Sequence, residues 1–277
     1  MRVSLGGSVL EIVPDCHLNA SEREALAPLV ASEHMAVGPD FRLEIIPADG
    51  WTPVDPCPPP LGEPARVRVA GDRVAVSHQI FEADLDPWLR QGCLVRLDGS
   101  SAALEITLRV ALSSLLPLSG GLPLHAAGVA VRTQGLVFFG PSGAGKSTVA
   151  ECSPFPVFSD ELVVVRGDPF VLRRSGFWGS YRDAKQVPPA QVPLRALFKL
   201  DRGPRFELVR LDPAEAWRQL TEVVIIPGLP RLWRHAAELL ARLVGSVPTF
   251  RMRWHPASPP WADLSAALSE LEPPNQS

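Results

Sequence analysis

The chain has 277 residues, 46% of them hydrophobic and 21% charged, with a net charge of −3. This length suits one large or two modest domains, and the apolar content is enough for a sizeable core. The slight negative charge argues against a nucleic-acid partner, and no apolar run reaches the roughly 18 residues that a membrane helix needs.

The start, Met1-Arg2-Val3-Ser4-Leu5-Gly6-Gly7, lacks a charged region followed by a long apolar one, so no signal peptide is expected. Cys16, Cys57, Cys93 and Cys152 form no C-x-x-C pair and have no histidine at zinc-site spacing. They read as reduced thiols of a cytoplasmic protein. Pro53, Pro56, Pro58, Pro59, Pro60 and Pro64 exclude a regular helix or central strand over residues 50–64.

Strand patterns follow this loop. Arg66-Val67-Arg68-Val69 and Arg73-Val74-Ala75-Val76 flank a turn at Ala70-Gly71-Asp72, which predicts a hairpin. Glu82, Asp84 and Asp86 read as a solvated acidic surface. Cys93 to Leu97 predicts another strand, ended by Asp98-Gly99. Residues 1–99 therefore read as a small β-rich domain, followed by a second domain over 100–272 and a disordered tail over 273–277.

Residues 101–117 fit two patterns. Leu104, Ile106, Leu108, Val110 and Leu112 alternate like a strand, while Leu104, Leu108, Leu112 and Leu115 share a helix face. Length favours the helix, with Ser100 or Ser101 as cap and Glu105 and Arg109 paired at i, i+4. After Gly120-Gly121, Leu124 to Val131 and Leu136 to Phe139 form a second predicted hairpin.

That hairpin leads into Gly140-Pro141-Ser142-Gly143-Ala144-Gly145-Lys146-Ser147-Thr148, which fits G-x-x-x-x-G-K-[ST]. Glycines let the backbone curl until its N–H groups point inward, and the next helix turns its positive end to the same place. Lys146 suits the β/γ-phosphates of a nucleotide and the Ser147 hydroxyl suits Mg²⁺. Lys146 is also one of only three lysines, with Lys185 and Lys199, in a chain whose cations are mostly arginine. The strand before the loop is expected to have an antiparallel neighbour. Most P-loop proteins reach that strand by a crossover from a parallel one.

The helix after the loop is cut short by Pro154 and Pro156. Asp160 and Glu161 then sit between two apolar runs, fourteen positions after Lys146. A carboxylate there could hold Mg²⁺ or take the proton of an attacking hydroxyl.

With Leu-His-Ala-Ala-Gly-Val-Ala-Val at 124–131, Gly-Pro-Ser-Gly-Ala-Gly-Lys-Ser-Thr at 140–148 and Phe-Ser-Asp-Glu at 158–161, the chain resembles the HPr kinase/phosphorylase family. It is most similar to the shorter HPr-kinase-like proteins, some of which act in modified-peptide biosynthesis. The resemblance implies an α/β fold with the mixed-sheet P-loop core of phosphoenolpyruvate-carboxykinase-like type. It covers residues 120–165 well, extends loosely beyond them, and leaves out residues 1–99.

By position, the resemblance implies that His125 lies near the γ-phosphate and that Asp160 accepts the proton of an acceptor serine. Glu161 stands where the family has a second aspartate. The family's downstream glutamate signature has no recognisable counterpart, so phosphorolysis, a hexamer and HPr as acceptor are not implied.

Residues 173–190 combine Arg173, Arg174, Arg182 and Lys185 with Phe177, Trp178 and Tyr181, a composition that suits a lid. Arg195 to Leu200 and Phe206 to Leu211 flank Asp201-Arg202-Gly203-Pro204 and predict a hairpin. Asp212 and Pro213 predict a capped helix start. A helix is predicted over Arg231 to Val244 with Gly245 beyond its end, then a strand over Val247 to Trp254 and a helix from Ser258 to Leu271.

The leading expectation is a kinase that uses ATP and Mg²⁺ to phosphorylate a hydroxyl, serine above all, in a peptide, protein or small molecule. The alternatives are an ATP-binding regulator or scaffold without transfer, and a simple ATPase. Carboxykinase chemistry is disfavoured, since no cluster for a second metal is evident. No membrane partner is expected, and a homo-oligomer is left open.

Overall fold

A computed structural model describes residues 1–13, 18–27, 30, 38–49, 52, 54–96, 101–179, 187–255 and 257–270. Several sequence expectations lie outside the described residues: Cys16, Pro53, Leu97 with Asp98-Gly99, the cap at Ser100, the stretch 180–186 with Tyr181, Arg182 and Lys185, Leu271, and the tail 273–277. The fold is mixed α/β, with two mixed sheets and few helices. The chain separates into two compact units, Met1–Gly120 with Ile226–Ala236, and Gly121–Ile225 with Ala237–Ser277.

The first unit is built on seven strands: β1 (Arg2–Leu5), β2 (Ser8–Val13), β3 (Phe41–Pro47), β4 (Arg66–Ala70), β5 (Arg73–His78), β6 (Phe81–Asp86) and β7 (Gln91–Arg96). Their order is β1-β2-β3-β7-β6-β5-β4. The β4–β5 hairpin is the one its valine alternation and Gly71 turn predict. The pairings of β3 with β2 and with β7 are parallel.

Helix α1 (Ala20–Leu26) starts with a capping box, in which Asn19 and Glu22 satisfy each other's backbone N–H. The same Glu22 carboxylate is fully buried and receives a two-pronged ion pair from Arg96 on β7. A buried pair of this kind tolerates loss of neither partner.

The acidic residues of β6 are pinned rather than loosely solvated. Glu82 accepts from the backbone N–H groups of Val54 and Asp55 at 2.9 and 2.8 Å, and Arg73 reaches Asp84 and Asp86 at 2.9 and 3.5 Å. Helix α2 (Ser101–Leu115) resolves the ambiguous stretch as a helix, with Leu104, Leu108, Leu112 and Leu115 buried along one stripe. Its expected Glu105–Arg109 pair is present at 2.9 Å.

The second unit carries β8 (Gly121–Val131), β9 (Gln134–Phe139), α3 (Lys146–Glu151), β10 (Val157–Ser159), β11 (Leu162–Arg166), β12 (Val171–Arg174), β13 (Gln191–Arg202), β14 (Glu207–Arg210), α4 (Pro213–Thr221), β15 (Thr249–Trp254) and α6 (Trp261–Glu270). Helix α5 (Pro230–Ser246) begins in the first unit and ends in this one.

Two long strands organise the second sheet. β8 pairs with β11 through Gly121–His125, then with β9 through Ala126–Val131. β13 pairs with β12 at its start, then in parallel with β9 and with β15. The pairings β8-β11-β12-β13-β9-β8 thus close into a ring.

Gly128 and Gly135 face that ring's crowded centre. A Cβ on Gly135 would lie 2.8 Å from Leu172 Cβ and 3.0 Å from Val192 Cγ2, and one on Gly128 would lie 2.9 Å from Val163 Cγ1. These neighbours are stiff or close to the backbone, so they cannot swing aside. Gly135→Ala is therefore expected to cost about 1–3 kcal/mol by overpacking, read as a lower midpoint in urea unfolding.

The parallel strands β9, β13 and β15 are locked by a ladder of stacked rings. Phe138, Phe198 and Phe250 stand in register, with ring centroids 5.2 and 5.7 Å apart. Trp261 of α6 meets Phe138 edge-on at 5.6 Å, and Val149, Ala150 and Trp254 complete this core. All three strands therefore finish at one edge of the sheet.

Two expectations are corrected. β13 and β14 do not pair with each other; β15 lies between them, parallel to β13 and antiparallel to β14. The turn-like Asp201-Arg202-Gly203-Pro204 composition is local, whereas β15 begins only at Thr249. Gly245 lies inside the last turn of α5 rather than beyond it, a position where glycine costs about 1 kcal/mol relative to alanine but does not break the helix. The Asp212 cap holds as expected, accepting from the N–H groups of Ala214 and Glu215 at 3.0 Å.

Cys57, Cys93 and Cys152 are free thiols. Among the described residues, no helix is long and apolar enough to cross a membrane.

Candidate functional site

The loop 140–148 links β9 to α3 at the carboxyl edge of the parallel strands. Gly140, Gly143 and Gly145 all have positive φ, at 154°, 77° and 106°. Gly145 needs its lack of a side chain twice over: its φ is one that L residues rarely adopt, and a Cβ there would sit 3.0 Å from the Trp254 ring. Trp254, at the end of β15, is 1% exposed and forms the floor under the loop. Helix α3 has only six residues, as its prolines predict.

Lys146 bends back into its own loop. Its Nζ donates to the Gly140 carbonyl at 3.0 Å and to the Pro141 carbonyl at 3.3 Å. Burial pushes this ammonium below its usual range, and the Glu161 carboxylate partly opposes the shift. The folded state then gives up this proton before the unfolded chain does. The group detracts from stability at every pH below both values, and the deficit fades as pH climbs through the folded value toward 10.5.

Asp160 and Glu161 stand between β10 and β11, at the kink their position between two apolar runs predicts. Ser159 builds that kink: its hydroxyl accepts from the N–H groups of Glu161 and Leu162 at 3.0 and 3.1 Å and donates to the Phe177 carbonyl at 2.7 Å. Asp160 is 2% exposed. Its Oδ2 accepts the Ser147 hydroxyl at 3.0 Å, and its Oδ1 accepts the Gly179 N–H at 2.8 Å. Gly179 permits this approach, because a Cβ there would fall 3.0 Å from the carboxylate.

His125 lies where β8 leaves β11 and joins β9, with its backbone N–H donating to the Val223 carbonyl at 2.7 Å. Its Nε2 is 3.6 Å from Glu161 Oε2, and both side chains are partly exposed.

These groups converge. A polar cavity of about 280 Å³ is lined by His125, Ser142, Gly143, Gly145, Lys146, Ser147, Thr148, Asp160, Glu161 and Arg202. Every residue that sequence reasoning assigned to catalysis or metal binding lines it. Of the loop residues, Gly140, Pro141 and Ala144 do not; Gly140 and Ala144 are buried behind it.

No protein-family model matches this chain, and no curated protein matches it. The functional reading therefore rests on the site's own chemistry. Among the described residues, no group of three or more His, Cys, Asp or Glu side chains is placed to hold a metal ion alone. Ser147 and Asp160 do bring a hydroxyl and a carboxylate oxygen together, with Glu161 on the same cavity. Hard oxygen donors in that small number suit Mg²⁺, which is commonly held by one or two carboxylates together with substrate phosphates.

Three contributors escaped the sequence. Arg202 enters from the end of β13, its Nη2 donating to the Gly143 carbonyl at 2.8 Å. Gly179 fixes Asp160, and Trp254 supports Gly145. Arg202 was legible only as part of a turn, and nothing local ties residue 179 or 254 to the loop. Of the expected lid, Arg173 and Arg174 belong to β12, while Gly179 is fixed to Asp160.

Proposed function

We propose that the protein binds the phosphates of ATP at Gly140–Thr148 and transfers the γ-phosphate to a hydroxyl group, serine above all, of a peptide, protein or small molecule. The observation that carries this reading is Asp160: a buried carboxylate, held from two sides, on the same cavity as Lys146 and the glycine loop. Backbone N–H groups at the start of α3 and the Lys146 ammonium would neutralise phosphate charge. A polyphosphate there would add counter-charge to the buried Lys146 beside that of Glu161.

In the transfer step, Asp160 takes the proton of the acceptor hydroxyl as its oxygen bonds to the γ-phosphorus and the bond to the leaving ADP oxygen breaks. Ser147, Asp160 and Glu161 would hold Mg²⁺, which when bound offsets charge on the phosphate oxygens. His125, oriented by Glu161, would face the transferred phosphate. The same reading assigns the second unit to the HPr-kinase-like P-loop kinases. The order hairpin, glycine loop, short helix, carboxylate pair speaks for it.

Replacing Lys146 tests the phosphate half. Lys146→Ala is expected to remove about 1.5–3 kcal/mol of charge-assisted hydrogen bonding, a ten- to hundredfold loss of ATP affinity by titration calorimetry. Equal affinity in variant and parent would remove the loop from the account.

A further inference from the structure

Beside the polar cavity, on the same carboxyl edge, lies a second open cleft of about 580 Å³, lined by Arg202, Gly203, Pro204, His255 and Ala257. Its surface is mainly apolar, and none of these side chains is a carboxylate or carboxamide. One wall follows β13 and the other follows β15, and the Gly203 N–H ties them by donating to the Trp254 carbonyl at 3.0 Å. His255 Nδ1 accepts the Ala257 N–H at 3.2 Å, which fixes the imidazole at the rim. Gly203 leaves the wall thin, since a Cβ there would stand 3.3 Å from Arg253 Cβ.

Arg202 lines both cavities and donates to the Gly143 carbonyl of the glycine loop. A polar, cation-bearing cavity joined through one arginine to an apolar cleft matches the two ends of a nucleotide. We infer that the Pro204–His255–Ala257 cleft receives the purine base of the nucleotide whose phosphates lie on Gly140–Thr148. This rests on the phosphate-binding reading of that loop. The base stacks against the His255 imidazole and the Pro204 ring, and Arg202 stands at the junction of base-bearing and phosphate-bearing halves. An apolar cleft would gain little from the phosphates themselves, and the other cavity is mainly polar.

The test compares ATP with inorganic tripolyphosphate, both with Mg²⁺, by titration calorimetry at pH 8. The variants are Ala257→Gln, which fills the cleft without adding charge, and His255→Ala. Both positions are exposed, so folding is not at stake, and circular dichroism checks it. The parent is expected to bind ATP at least about tenfold more tightly than tripolyphosphate, and Ala257→Gln to lose about tenfold for ATP while tripolyphosphate stays within about twofold. His255→Ala shifts in the same direction. Variants that leave ATP affinity unchanged, or weaken both probes alike, overturn the base site. So does a parent that binds ATP no better than tripolyphosphate, and in that case the phosphate site stands. A parent that binds neither probe overturns the phosphate site and the base site with it.

Discussion

Asp160→Asn is expected to slow phosphate transfer about 10²–10⁴-fold, the range for loss of a positioned general base, while ATP affinity measured without Mg²⁺ changes little. The asymmetry follows from geometry. Asn is isosteric with Asp; its oxygen still accepts the Gly179 N–H, and its amide can donate to the Ser147 hydroxyl where Asp160 now accepts. The local structure survives, but the group that takes the acceptor's proton is gone. Single-turnover transfer from labelled ATP measures the loss, and calorimetry measures the retained binding. Transfer at the parental rate would mean that Asp160 is a structural acid, placed only to order Ser147 and Gly179.

Trp254→Ala is expected to destabilise the second unit by about 3–5 kcal/mol, as for other buried large-to-small aromatic changes. Trp254 is 1% exposed and belongs to the core that holds Phe138, Phe198 and Phe250. Its ring also faces Gly145. The cavity left behind therefore lies directly under the glycine loop, and ATP affinity should fall together with the unfolding midpoint. A variant that loses stability but binds ATP as the parent does would show that the loop holds its shape without its floor.

Much of the site was legible because its sequence signals are local. The Gly140–Thr148 pattern, the prolines that shorten α3, and two carboxylates between apolar runs each lie within a few residues of the feature they specify. The hairpin before the loop was legible for the same reason. A turn at Arg132-Thr133-Gln134-Gly135 between two apolar runs sets β8 against β9.

The rest depends on pairings between distant segments. β13 and β14 carry a turn composition between them, yet β15 inserts there because Phe198 and Phe250 stack in register. The ring through β8, β11, β12, β13 and β9 requires two strands each to change partners midway, and no local periodicity records that. Gly179, Arg202 and Trp254 reach the site through such pairings and contacts. In the first unit, the Arg96–Glu22 ion pair joins a strand end to a helix start 74 positions away, and neither residue stands out by itself.

The central claim is that Asp160 and the glycine loop form one site for moving a phosphate to a hydroxyl. The most direct measurement follows γ-labelled ATP with Mg²⁺ and a set of serine-containing peptides, in the parent and in Asp160→Asn. The account predicts label on serine oxygen in the parent and its loss in the variant. Label released only as inorganic phosphate, at one rate with or without peptide and in both proteins, would contradict it.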